Sequence, residues 1–242
     1  MKIASYLSLD TKNIFRDPML VSFVTVVPLI FMATLIWLLP FGLHSFEWLR
    51  PWRPVLVTFL VMQSGLLAGA VTTFVILEER DASNMQALFV TPLQPAQYLF
   101  FRIGLPMIYT FILSGFMLWL AGLEFSFLQM TASALFNAML VPLFALAITS
   151  VATNKVEGLT WFKGLNLIAF APAASFFIES GWSKAFAVIP TWWIYHFNAM
   201  IASPGQSQSA FNSPALYFWV GMVYLGLCNL FLFRKFSQKN FG

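Results

Sequence analysis

The chain has 242 residues, 60% of them hydrophobic and 9% charged, with a net charge of +4 at neutral pH. So apolar a composition excludes an ordinary water-soluble domain, and a single cysteine excludes a disulfide framework. The modest basic excess calls for no nucleic acid, because basic residues flanking apolar spans are drawn to anionic lipid headgroups.

The first residues carry Lys2 and an apolar run, but Asp10, Lys12, Arg16 and Asp17 interrupt before the core of a signal peptide can form. Ile3, Tyr6, Leu7 and Ile14 recur at roughly helical spacing, leaving Lys2, Asp10, Lys12 and Asp17 to face water. That pattern predicts an amphipathic helix lying along the inner membrane surface. Asp17-Pro18 ends it and lets the first span begin.

Crossing a bilayer takes roughly 20 apolar residues, and such stretches fall at about 19–41, 55–77, 103–122, 128–151, 164–179 and 215–233. On that scheme no Lys, Arg, Asp or Glu occupies a span centre. Span two carries Gln63, Ser64 and a Gly65-x-x-x-Gly69 pattern, which permits close helix approach either between subunits or within one. The following loop begins Glu78-Glu79-Arg80-Asp81. Met85, Leu88 and Phe89 then predict a short amphipathic helix stopped by Thr91-Pro92. Such a helix would present Arg80, Asp81, Asn84 and Gln86 to a cytoplasmic partner; an ordinary intracellular loop is the alternative.

Span four offers Asn137 and Pro142, and span five offers Asn166, Pro172 and Ser175. So few polar groups imply a hydrophobic or amphipathic cargo. Span five is short and broken by Pro172, which suits a helix that ends early and hands over to a re-entrant segment at 185–203. That segment is apolar but contains Pro190, Thr191, His196 and Asn198. Cys228 sits in an apolar stretch and is read as packing.

Six crossings put Lys2, Lys12, Arg16, Arg80, Arg102, Lys155, Lys163, Arg234, Lys235 and Lys239 on one side, against Arg50, Arg53 and Lys184 on the other. The bias places both termini in the cytoplasm of a multi-pass cytoplasmic-membrane protein. Eight of the nine tryptophans, Trp192 and Trp193 included, fall toward the outer side, which predicts extra interfacial structure there. His44 and His196 are read as outer interfacial residues. There is no phosphate-cradling loop, no metal-ligand spacing and no carboxylate pair within a span, so no catalytic or metal residues are assigned.

Two segments resemble the permease subunits of ABC-2 type transporters. One is Leu9-Asp10-x-Lys12-Asn13-x-x-Arg16-Asp17-Pro18-x-Leu20, running on to Pro28-Leu29. The other is Glu78-Glu79-Arg80 through Leu88-x-x-Thr91-Pro92-Leu93, followed by Tyr98-Leu99 and Arg102. The resemblance implies an all-α integral membrane protein forming a single permease domain over 1–242. It would have six transmembrane helices, an interfacial connecting helix (Asp10, Lys12, Arg16, Asp17) and re-entrant outer helices between spans five and six. It also implies a coupling helix, with Glu78, Glu79, Arg80, Asp81, Asn84, Gln86, Thr91 and Pro92 seated on a separate ATP-binding subunit. ATP and Mg would be bound by that subunit and no cofactor by this chain. A second permease copy or a homologue would complete a pathway, for which Gln63, Ser64, Gly65, Gly69, Asn166, Pro172 and Ser175 are the candidates. The implied activity is export of a drug, lipid or peptide. An ATP-independent carrier and a non-transporting scaffold or assembly factor are the alternatives.

Overall fold

The structure, a computed structural model, describes residues 17–81, 95–178, 181–203, 211 and 213–241, and among these every regular element is a helix. A long helical run, α1, spans Pro18–Ser45. A 3-10 stretch, Glu47–Trp52, leads into α2 (Arg53–Asp81). Then follow α3 (Pro95–Leu120), α4 (Phe127–Ala138), α5 (Leu140–Val151) and α6 (Lys155–Phe170). Two 3-10 segments, Ala171–Phe177 and Gly181–Val188, precede α7 (Thr191–Ala202), and α8 spans Pro214–Phe241.

Asp17 caps α1 by accepting from the Met19 N–H at 2.9 Å, with Pro18 at the first helical position. Within α1, Ser22–Val26 and Thr34–Leu38 widen to π-turns just ahead of Pro28 and Pro40. A proline inside a helix offers no N–H to the carbonyl four residues back and presses its ring against it. For Pro28 that carbonyl is Val24 O, and the Tyr109 hydroxyl of α3 donates to it at 2.5 Å.

The helix around which the others gather is α2. Among helices long and apolar enough to cross a membrane, 94% of the most apolar window in Glu47–Asp81 is buried, against 72% for Phe127–Val151, 28% for Leu99–Leu120 and 17% for α1 and α8. Gly65 and Gly69 explain the close seat. A Cβ on Gly65 would lie 2.5 Å from Asn137 O, and one on Gly69 would lie 2.8 Å from Phe144 Cβ. The small-residue pattern therefore seats α4 and α5 within one subunit. Arginines at both ends of α2 cap neighbouring helices. Arg53 donates to Ala121 O (2.8 Å) and Gly122 O (3.1 Å) beyond α3, and Arg80 donates to Ala152 O (2.8 Å) and Thr149 O (3.0 Å) at the end of α5. The last carbonyls of a helix lack internal partners and carry partial negative charge, so a cation there is well placed.

Five helices meet the length and apolarity of a membrane crossing: Pro18–Ser45, Glu47–Asp81, Leu99–Leu120, Phe127–Val151 and Pro214–Gln238. The segment expected to cross at 164–179 is built differently. It begins at Lys155, where Asn154 Oδ1 accepts from Glu157 N (2.9 Å) and Glu157 reaches back to Thr153 N (2.8 Å). It then runs antiparallel to α2. A Cβ on Gly158 would meet Leu77 Cδ1 at 2.6 Å, Phe170 packs on Phe59 at 4.4 Å, and Phe177 stacks on Trp52 at 4.0 Å. A helical turn is lost at Pro172, where the chain tightens to 3-10.

Among the described residues that follow, up to Ser203, the chain folds back on itself. Val188 O accepts from the Tyr224 hydroxyl (2.5 Å), and Thr191 Oγ1 donates to Ala169 O (2.7 Å). Asn198 Nδ2 then donates to Thr58 Oγ1 (3.1 Å), and Ala199 and Ser203 lie beside Trp52 and Phe176. Thus α7 returns toward the end of the molecule that its preceding 3-10 segment left. It is enclosed by α2, α4, α8 and the two 3-10 segments, with Thr191 through Ala199 all buried.

Candidate functional site

One end of the molecule gathers the charges that the sequence assigns to coupling. The ammonium of Lys155 lies 2.5 Å from Asp17 Oδ2 and 3.6 Å from Glu78 Oε2. Glu79 pairs with Arg102, Nε to Oε2 being 3.1 Å, and both side chains are largely buried. With Arg80 on the α5 carbonyls, this ring ties the starts of α1, α3 and α6 and the ends of α2 and α5 into one brace. The hydrogen bond from Lys155 holds the Asp17 carboxyl below its ordinary pKa, against the opposing effect of partial burial. Glu79, Arg80 and Arg102 are thus engaged inside the chain, whereas the Glu78 side chain is 62% exposed and Asp81 is exposed. Asp10, Lys12, Arg16, Asn84, Gln86, Thr91 and Pro92, with the expected interfacial and coupling helices, lie outside the described residues.

The residues assigned to a pathway separate. Gln63, Ser64, Gly65 and Gly69 are buried between α2 and its neighbours, with Ser64 Oγ donating to Val61 O at 2.7 Å. Pro172 and Ser175 are buried as well, and Asn166 is half-buried with an Oδ1 that has no partner among the described residues. Sequence alone cannot say whether small residues serve a partner subunit or the chain's own helices; here the close approach is to Asn137 and Leu140 of the same chain. What remains accessible on span five is the opposite face of α6, with Val156, Leu167 and Ile168 well exposed.

His196 is placed differently from the outer interfacial position expected of it. It is 3% exposed, with its ring 4.1 Å from Trp192, 4.6 Å from Phe176 and 5.9 Å from Tyr217. Ser175 Oγ donates to Pro172 O at 2.6 Å, so at 3.2 Å His196 Nε2–H must donate to that oxygen. This leaves Nδ1 as a buried acceptor with no partner among the described residues. On the same helix the Trp192 Nε1–H donor, the Tyr195 hydroxyl and the Asn198 Oδ1 acceptor likewise have no partner among the described residues. Trp192 and Trp193 are core residues as well, unlike the exposed Trp37, Trp48, Trp119, Trp182 and Trp219. The helix is apolar enough to look interfacial, but its surroundings are protein.

Two cavities adjoin these elements. One, of about 200 Å³, lies between α1, α2 and α3 and is lined by Val24, Val71, Thr72, Phe101, Arg102 and Tyr109 among others. The second, of about 210 Å³, lies at the opposite end, between Pro51, Trp52, Pro54 and Val55 on one side and Phe176, Ala199 and Ser203 on the other. Both are smaller than a typical drug-sized pocket of roughly 300–1,000 Å³. Among the described residues, no three His, Cys, Asp or Glu side chains come together as a metal site.

Comparison with known proteins gives this arrangement a context. A family model described as Fluoroquinolones export permease protein Rv2686c-like matches residues 10–233. Fluoroquinolones export permease protein Rv2686c of Mycobacterium tuberculosis (strain ATCC 25618 / H37Rv) is 31% identical over 245 residues, covering 96% of this chain and 92% of the relative. Fluoroquinolones export permease protein MT2760 of Mycobacterium tuberculosis (strain CDC 1551 / Oshkosh) is similar to the same extent.

Proposed function

The chain belongs to the Rv2686c-like family of fluoroquinolone export permeases, transport subunits rather than enzymes, and from that premise we propose that it is the membrane subunit of an ATP-driven drug exporter. Its cargo is a hydrophobic or amphipathic small molecule of the fluoroquinolone kind, moved outward across the cytoplasmic membrane. A separate ATP-binding subunit docks at the charged end, on the exposed Glu78 and Asp81. A second copy or a homologous permease completes the pathway.

The observation that carries this reading is the charged brace. Asp17, Glu78, Glu79, Arg80, Arg102 and Lys155 link five helices at one end. A push delivered beside Glu78 therefore moves those helices together as a rigid body. In this reading α6 and the following 3-10 segment make the sixth crossing, about 38 Å by their residue rises. That length suits a hydrocarbon core of about 30 Å. Gly181–Val188 and α7 form the re-entrant hairpin in the outer leaflet, and the termini face the cytoplasm.

The test is co-purification. The wild-type chain is expected to retain an ATP-binding subunit in detergent, and Glu78→Lys with Asp81→Lys to release it while the chain stays folded. If no ATP-binding subunit is recovered, and fluoroquinolone uptake proceeds without ATP, the chain is a self-sufficient carrier instead.

A further inference from the structure

The cavity between α1, α2 and α3 lies among helices that all have the length and apolarity of a membrane crossing. Short side chains create it. Ala68, Val71, Thr72 and Val75 stand at i, i+3, i+4 and i+7 on one face of α2 and leave the space toward α3 unfilled. Along α3 the lining runs from Arg102 to Tyr109, seven residues or about 10 Å. One leaflet of hydrocarbon is about 15 Å thick, half of the whole core. The cavity is thus a slot that starts at the level of the Glu79–Arg102 pair and covers about two-thirds of a leaflet.

The chemistry of the slot disfavours a polar guest. Thr72 and Tyr109 supply the hydroxyls of its lining. Thr72 Oγ1 donates to Ala68 O at 2.8 Å, and Tyr109 donates to Val24 O, the carbonyl to which Pro28 offers no N–H. Both hydroxyl protons are therefore spent. At the inner end the Arg102 guanidinium is held by Glu79. Water fills a void only where about two to four polar partners receive it, and an empty void forfeits dispersion contacts with its walls. The rim opens sideways: Phe101 and Leu105 are exposed and continue into exposed Ile108 and Ile112 at helical spacing. In a membrane such a stripe faces hydrocarbon.

We propose that this slot is a lipid site, in which one acyl chain of a phospholipid from the leaflet at the braced end lies between α1, α2 and α3. The inference is independent of the export reading. Lipid tails are as apolar as the walls, so the gain is packing and not the hydrophobic effect. The charges at the inner end are paired with each other, so the site selects a chain and not a headgroup. A drug-sized cargo is the poorer occupant, because the volume is below that of such pockets and the lining hydroxyls have no proton to give its polar groups.

The experiment places the purified full chain in nanodiscs that contain a phospholipid spin-labelled on its acyl chain, and electron paramagnetic resonance counts the immobilised lipids. Val75→Phe, which projects a ring into the slot from a half-buried position, is expected to lose one immobilised lipid per chain. Leu105→Trp is expected to do the same from the exposed rim, without touching α2. Val156→Phe, exposed on α6 and lining neither cavity, is expected to keep the wild-type count. Changing the labelled lipid from phosphatidylethanolamine to phosphatidylglycerol is expected to leave the count unchanged. In detergent, added lipid is expected to raise the wild-type melting midpoint more than that of Val75→Phe, by mass action. If both slot variants hold as many lipids as the wild type, the proposal is overturned. It is equally overturned if a fluoroquinolone displaces the lipid. Cross-linking of two chains through Leu105→Cys in a Cys228→Ser background would also overturn it, because a second copy would then cover the slot.

Discussion

Two buried helices, α2 and α7, solve the same problem in opposite ways. In α2 the hydroxyls of Thr58, Ser64, Thr72 and Thr73 all donate to carbonyls of their own helix, at 2.7–2.9 Å. Arginines at its two ends satisfy carbonyls of the helices beside it. In α7, four buried side chains keep a polar atom with no partner among the described residues, and the helix is held by ring contacts and a few long-range bonds. Unsatisfied buried groups lower the cost of admitting water or of adopting another packing. The pair therefore reads as a fixed strut and an element close to rearrangement.

Overfilling the strut breaks this comparison most forcefully. Gly65→Leu places a side chain where even a Cβ falls 2.5 Å from a backbone oxygen, and the expected loss is at or beyond the ~3 kcal/mol upper end of overpacking costs. Thermal unfolding in detergent measures it, and an unchanged midpoint would refute the close seat. Arg80→Ala comes next. It leaves Thr149 O and Ala152 O without their charged donor, at a cost of roughly 1.5–3 kcal/mol, read by the same assay.

Asn198→Leu sharpens the contrast from the other side. It removes the bond to Thr58 but also removes an unmet buried oxygen, so stability should change by less than about 1 kcal/mol. If α7 is the element that rearranges, uptake should fall while the melting midpoint holds. Parallel loss of both would make α7 a strut like α2.

The smallest effect belongs to Asp17→Asn, which removes a partly exposed pair, in the range of about 0–1 kcal/mol. The Asp17 pKa is depressed in the folded state by the hydrogen bond from Lys155. Its contribution is therefore complete above the unfolded value of 3.8 and is lost as pH falls through the lower folded value. Wild-type and Asp17→Asn stability curves should converge at the acid end and separate toward neutral pH.

Hydropathy made five crossings legible, because α1, α2, α3, the α4–α5 pair and α8 are long and apolar. It placed the start of α6 late. Lys155, Glu157 and Lys163 depress the local average, although Asn154 and Glu157 spell a helix cap that marks the true beginning. From hydropathy Lys163 reads as a flank, while the helix that carries it begins eight residues earlier. The Gly65-x-x-x-Gly69 pattern announced a close contact but not with whom, since a spacing carries no information on which helix fills it. Similarly, Trp192, Trp193 and His196 have interfacial chemistry, and only the tertiary packing reveals that rings of the same chain enclose them. Charge pairing across the brace joins residues 138 positions apart in the case of Asp17 and Lys155, beyond the reach of any local pattern.

In the proposed cycle, an ATP-driven push on the braced end moves cargo outward. Accumulation of a fluoroquinolone in everted vesicles bearing the chain and its ATP-binding subunit tests it most directly. Accumulation is expected to require ATP and to disappear in Glu78→Lys with Asp81→Lys. Accumulation that persists without ATP and follows an imposed proton gradient would contradict it.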